Sequence, residues 1–209
     1  MDPTTTTFYI IVLIFSVILH EVSHGYAALW GGDKTAFHEG RLTLNPIKHL
    51  DLFGSIILPL LLVLSHTGIV FGWAKPVPYN PFYLRNRRWG EFFVAIAGII
   101  TNLTIAIIFG LVIRLGINYF PNFIDSPVHV LSKIIVLLNI VLALFNLVPI
   151  PPLDGSKILF VFLGARFMAV QNFLLRYSMP VLLFFIIFIW QYLSLIIFSL
   201  FQLFTGTVF

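Results

Sequence analysis

Two histidines four residues apart, with a glutamate directly after the first, form the stretch of this chain best equipped for chemistry: His20-Glu21-Val22-Ser23-His24. On a helix, positions four apart share one face. Two imidazoles so placed can reach one zinc ion at about 2.0–2.1 Å. Glu21 then stands beside the open position of the metal, where it can take a proton from bound water. The chemistry expected is metal-assisted hydrolysis. A chain with this content of His and Glu shows the pattern by chance about 0.2% of the time, so it is read as a motif and not as noise.

A hydrolytic zinc site needs a third protein ligand and leaves one position for water. No further histidine follows His24 at the spacing of soluble metalloproteases. Glu21 is the sole acid within the long apolar stretches, and Asp154 lies just past a later one, in Asn146-Leu147-Val148-Pro149-Ile150-Pro151-Pro152-Leu153-Asp154-Gly155. The prolines break the preceding helix and Gly155 gives the backbone freedom. Asp154 reads equally as a ligand presented to a polar cavity and as a cap for a helix starting near Ser156.

The elements that must position these groups are membrane helices. The 209 residues are 59% hydrophobic and 10% charged, with mean hydropathy +1.02, where a soluble domain has roughly 25% charged residues. Apolar stretches at 8–29, 53–73, 92–117, 130–150 and 178–204 approach or exceed the roughly 18–20 residues that span a bilayer. The first lacks a basic start and a small-residue cleavage site, so it reads as a retained helix and not a signal peptide. His20, Glu21 and His24 sit inside it, and intramembrane ionisable groups are costly enough to imply function. The intervening polar segments are too short for a soluble domain, so residues 1–209 read as one membrane-embedded domain. Without cysteine, disulfides and thiolate ligands are excluded. The net charge of +4 carries no basic run, which argues against nucleic-acid binding. Residues 40–46 alternate polar and apolar before Asn45-Pro46, and the proline-rich 71–81 cannot be helical, so both are expected to be short extended segments.

With HExxH in the first span and N-x-x-P-x-x-x-L-D-G after a later one, the chain resembles the site-2 protease family of intramembrane zinc metalloproteases, in the short form without PDZ or CBS domains. The resemblance implies one Zn2+ held by His20, His24 and Asp154, with Glu21 as general base and Asn146 supporting the oxyanion or the substrate. The substrate implied is a transmembrane segment of another protein. A second signature of the family, A-G-P-x-x-N, stands here as Ala97-Gly98-Ile99-Ile100-Thr101-Asn102. The proline is replaced by Ile99, and Asn102 either supports the substrate or oxyanion or makes an interhelical hydrogen bond. A catalytically inactive relative, or a zinc transporter using the same ligands, is the alternative; the intact Glu21 and the scarcity of polar residues in 92–117 and 178–204 count against them.

For Asp154 to meet His20 and His24, an even number of crossings must separate them. The fold expected is therefore all-α and polytopic, with four full transmembrane helices, short membrane-associated β segments, and 53–73 as a re-entrant or interfacial hairpin bent near Pro59 or Ser65–Gly68. All Lys and Arg except Arg114 and Lys133 then lie on one side, and the positive-inside rule places that side, with the zinc site, toward the cytoplasm of a multi-pass cell-membrane protein. Segment 157–176 reads as a helix lying at that interface, with a partial re-entry as the alternative. His38 and His49 read as surface or headgroup-contacting, His66 falls in the hairpin tip, and Trp30, Trp73, Tyr79 and Trp89 as interfacial anchors.

Overall fold

The computed structural model describes residues 3–51, 54, 57, 74–164 and 167–207. It is all-helical among the described residues, and four helical segments are long and apolar enough to cross a membrane: Thr4–Gly31, Arg87–Tyr119, Pro127–Leu147 and Ser178–Thr205. The first belongs to helix α1 (Pro3–Gly31). A single turn, α2 (Thr35–His38), follows it. Helix α3 (Arg87–Tyr119) starts where the Asn86 side chain accepts from the Trp89 N–H, and α4 (Pro127–Leu147) starts where Ser126 accepts from the His129 N–H, with proline in the first helical position. The residue before Pro149 is barred from helical backbone, and α4 ends just ahead of it.

Segment 157–176 is two helices and not one. Helix α5 (Asp154–Leu163) stops at Gly164, whose φ of +61° lies in the left-handed region that glycine adopts without penalty, and α6 (Met168–Arg176) begins anew. The last span opens as α7 (Ser178–Phe184), passes through a π turn (Phe185–Ile189) and a 3-10 turn (Trp190–Leu193), and closes as α8 (Ser194–Thr205).

The spans turn large apolar side chains outward, among them Phe15, Ile108, Ile187 and Leu195, as lipid-facing helices do. The inner core is Ala106 and Ile113 of α3, Val136 and Ile140 of α4, and Ile197 and Phe201 of α8. Because lipid is as apolar as these side chains, close packing and polar ties between helices matter more here than burial. Gly110 is one such close approach: a Cβ there would lie 2.8 Å from the Phe204 carbonyl oxygen. The buried Asn139 of α4 donates to Ser16 Oγ of α1 at 2.9 Å.

Segment 53–73 falls almost wholly outside the described residues, and the hairpin expectation with His66 and Trp73 lies there. Its flanks are described. The Lys75 N–H donates to the His49 carbonyl at 2.8 Å, the Asn80 N–H to Asp33 Oδ2 at 2.6 Å, and the Arg85 N–H to the Gly31 carbonyl at 2.9 Å. The chain thus rejoins the end of the bundle that it left at the C-terminus of α1.

Neither expected β segment is a strand among the described residues. In 40–46 the alternation is misleading, because Arg41 is buried and Leu44 is exposed. The Arg41 Nη2 turns inward and donates to the Lys75 carbonyl at 2.9 Å and the Pro76 carbonyl at 3.1 Å. Residues 74–80 are extended, yet they are held by side chains and not by a ladder. His49, expected at the surface, is buried, with Nε2 donating to the Thr43 carbonyl at 2.8 Å; His38 is exposed.

Candidate metal centre

His20 and His24 project from one face of α1, as their spacing requires, and both are buried. Asp154, the first residue of α5, is buried against them. It does not cap that helix: Leu153 occupies the cap position and makes no side-chain cap bond. The Asp154 Oδ2 lies 3.1 Å from His20 Nε2 and 3.0 Å from His24 Nε2, and the two Nε2 atoms are 3.1 Å apart. The three atoms form a nearly equilateral triangle. Donors held tetrahedrally by zinc at about 2.0–2.1 Å stand about 3.3 Å from one another, so the triangle has the right scale.

Protonation decides what that triangle can hold. His24 Nδ1 lies 2.6 Å from the Val94 carbonyl oxygen, which can only accept. Nδ1 therefore carries the ring proton, and in the neutral ring Nε2 presents its lone pair. That lone pair faces the Asp154 oxygen and the second imidazole nitrogen. Three buried ligand atoms this close together can hold a metal ion between them, and two imidazoles with one carboxylate are a donor set that suits zinc. The residues present fit the metal.

Helix α3 supplies the backing. It runs antiparallel to α1, with Val94, Gly98 and Asn102 spaced one turn apart along the face that meets it. Val94 offers its carbonyl to His24. Gly98 leaves space for the His20 ring, since a Cβ there would sit 2.4 Å from His20 Cε1. The Asn102 side-chain amide is 3.2 Å from His20 Nδ1 and wholly buried. Beyond Asp154, Lys157 Nζ pairs with Asp154 Oδ1 at 2.9 Å and lies 5.6 Å from the centre of the Tyr79 ring. Burial works against the Lys157 charge, but the Asp154 carboxylate beside it prevails and holds the ammonium above its ordinary pKa.

Glu21 is half-buried, and its Oε2 accepts from the Val77 N–H at 2.9 Å. Pro76 and Pro78 have no N–H, so Val77 carries the one backbone donor of these three residues. The Lys75 and Pro76 carbonyls are on Arg41, and the Lys75 and Asn80 N–H groups on His49 and Asp33, so this part of the main chain of 74–80 is already engaged.

Asn146 is tied to its own helix. Its amide donates to the Leu142 carbonyl one turn back along α4, at 3.0 Å. Gly155 serves space and not freedom: it is helical, and a Cβ would meet the Leu147 carbonyl oxygen at 2.2 Å. Arg41, Val94, Asp33 and Lys157 were not singled out from sequence. Val94 acts through its backbone, which carries no residue signature, while Lys157, three residues after Asp154 on a helix, follows from the i,i+3 rule once Asp154 is a ligand.

Comparison with known proteins decides the family. Among the relatives that bear the name "Putative zinc metalloprotease" are YwhC of Bacillus subtilis, 42% identical over 156 residues that cover 73% of this chain and 67% of that protein, and Rip2 of Mycolicibacterium smegmatis, 34% identical over 150 residues covering 68% and 52%. The family model for peptidase family M50 matches residues 115–189. The chain belongs to peptidase family M50, the site-2 protease family. No solved structure matches it. This M50 chain spans about half the length of the Rip2 protein, at 52%. Its M50 match takes in Asn146 and Asp154, and the His20–His24 pair lies outside that match. The M50 chain is thus a metalloprotease and a multi-pass membrane protein.

Proposed function

We propose that this chain is an intramembrane endopeptidase that holds one zinc ion between His20, His24 and Asp154 and cleaves peptide bonds within or near the transmembrane segments of other membrane proteins. The observation that carries the reading is the convergence of three buried ligand atoms within 3.1 Å of one another, two of them, with Glu21, from a helix apolar enough to span a bilayer. A bound zinc ion would polarise the scissile carbonyl and make water acidic enough to attack it.

Glu21 does the proton work. The Val77 N–H holds Oε2, which leaves Oε1 to take a proton from the attacking water and pass it to the amine nitrogen as the peptide C–N bond breaks. The buried Gly98–Asn102 face of α3 backs the site on one side. One N–H of the Asn146 amide donates to the Leu142 carbonyl, and the second is the donor it could offer a substrate oxyanion. A helical substrate hides its carbonyls and must unwind first. The excess of Lys and Arg at the site end of the bundle supports a cytoplasmic orientation of the site.

The test is direct. The purified protein, reconstituted in lipid with zinc and a single-span model substrate, should cut within or next to the span, as mapped by mass spectrometry. Cleavage confined to water-exposed loops, or equal cleavage by Glu21→Gln, would refute the proposal.

A further inference from the structure

Each group of the triangle has a second heteroatom, and each of those is held from outside. His24 Nδ1 is held by the Val94 carbonyl, Asp154 Oδ1 by Lys157, and His20 Nδ1 by the Asn102 amide. The first two partners are chemically unambiguous. The third is not, because an amide offers either a donor or an acceptor.

The tautomer of His20 resolves it. For Nε2 to present a lone pair to the shared cation, the ring proton must sit on Nδ1, and Nδ1 then needs an acceptor. With Asn102 Nδ2 at 3.2 Å, Nδ1 would have to accept, and the proton would move to Nε2, pointing at His24 Nε2 and Asp154 Oδ2. Asn102 Oδ1, meanwhile, is buried and has no hydrogen-bond partner. The two ends of an amide have nearly the same shape, and a half-turn about the last torsion exchanges them. One amide atom is left over in either orientation, so the ring tautomer is what decides.

We infer that Asn102 is a positioning residue for the metal: its carbonyl oxygen accepts from His20 Nδ1–H and fixes the ring with Nε2 toward the zinc. The inference rests on the zinc reading given above. It replaces a contact with substrate or oxyanion as the function of Asn102. The geometry leaves no room for both, since Asn102 has no exposed surface and lies behind the imidazole, on the side away from Asp154. Gly98, one turn earlier on α3, lets the ring lie close enough to be reached.

The experiment measures zinc affinity of detergent-purified protein by chelator competition, and the visible spectrum of the Co2+-loaded protein, with His20→Ala as the reference for a broken site. Asn102→Leu removes the acceptor at similar size and should weaken zinc binding about 10–100-fold, with an altered cobalt spectrum. Asn102→Asp keeps an acceptor and should hold zinc at least as tightly as the wild type. Wild-type affinity in Asn102→Leu overturns the inference. If Asn102→Leu does not fold, Asn102→Asp decides alone, because a donor role for the amide makes that variant lose affinity tenfold or more. If the wild type itself binds no zinc, the zinc reading falls and the inference with it; stoichiometric zinc in the wild type with no loss in Asn102→Leu removes the inference alone.

Discussion

The Glu21 carboxylate is tethered to the backbone of Val77: Oε2 accepts from the Val77 N–H at 2.9 Å across 56 positions of sequence. The segment bearing Val77 is itself held by Arg41, so the proposed base is aimed by two stretches of chain outside its own helix. Glu21→Gln keeps the shape and can still accept from Val77 through its amide oxygen. It should therefore retain zinc and thermal stability while losing about 10²–10⁴-fold in kcat. Zinc content by atomic absorption and turnover of a model substrate check this, and a variant that keeps more than a tenth of its turnover would remove Glu21 from the role of base.

Gly98→Ala places a methyl group 2.4 Å from His20 Cε1, where a rigid helix face meets a ring fixed on both sides. Zinc affinity should fall at least tenfold, in keeping with what misplaced ligands cost. Gly110→Ala, on the same helix but against the Phe204 carbonyl, should lower the melting temperature and leave zinc affinity untouched. Equal zinc affinity in wild type and Gly98→Ala would contradict the packing described.

Lys157→Met removes the ammonium from Asp154 Oδ1 while keeping the apolar stem. Asp154 then loses the partner that fixes its rotamer, and zinc affinity should drop about tenfold or more. Isothermal competition with a chelator reads the change. An unchanged affinity would make the pair a surface contact without influence on the site.

Zinc removal should destabilise the whole protein. Without a cation, two nitrogen lone pairs and a carboxylate oxygen face one another within 3.1 Å. Zinc at a hundredfold over its dissociation constant should stabilise the fold by about 2.7 kcal/mol. Thermal unfolding in detergent with chelator, then with zinc restored, measures it, and identical melting curves would count against a structural metal at this position.

Topology is testable because the sequence contains no cysteine. Lys34 and Phe82 are exposed near the contacts that join Gly31 to Arg85, whereas Tyr119 is exposed at the far end of α3. In sealed vesicles Lys34→Cys and Phe82→Cys should label from one side, the cytoplasmic one, and Tyr119→Cys from the other. Labelling of positions 34 and 82 from opposite sides would overturn the threading.

Much of this protein could be read along the chain. Spans are legible because a bilayer demands a run of apolar residues, and the four helices fall close to the runs seen in the sequence. The break at Gly164 and the inward turn of Arg41 were not legible, since both depend on what the chain meets in space.

The sequence by itself determined the pair: the 3.6-residue turn of a helix puts His20 and His24 on one face whatever surrounds them. Asp154 was named from sequence as a candidate, but whether it capped its own helix or faced the histidines was a matter of packing across 134 positions of chain. Tertiary structure decided the rest of the site for the same reason. Val94 contributes a carbonyl, Gly98 an absence of side chain, and Val77 an N–H. Such contributions come from backbone and empty space, and they acquire meaning only when α1, α3 and the 74–80 segment are packed together.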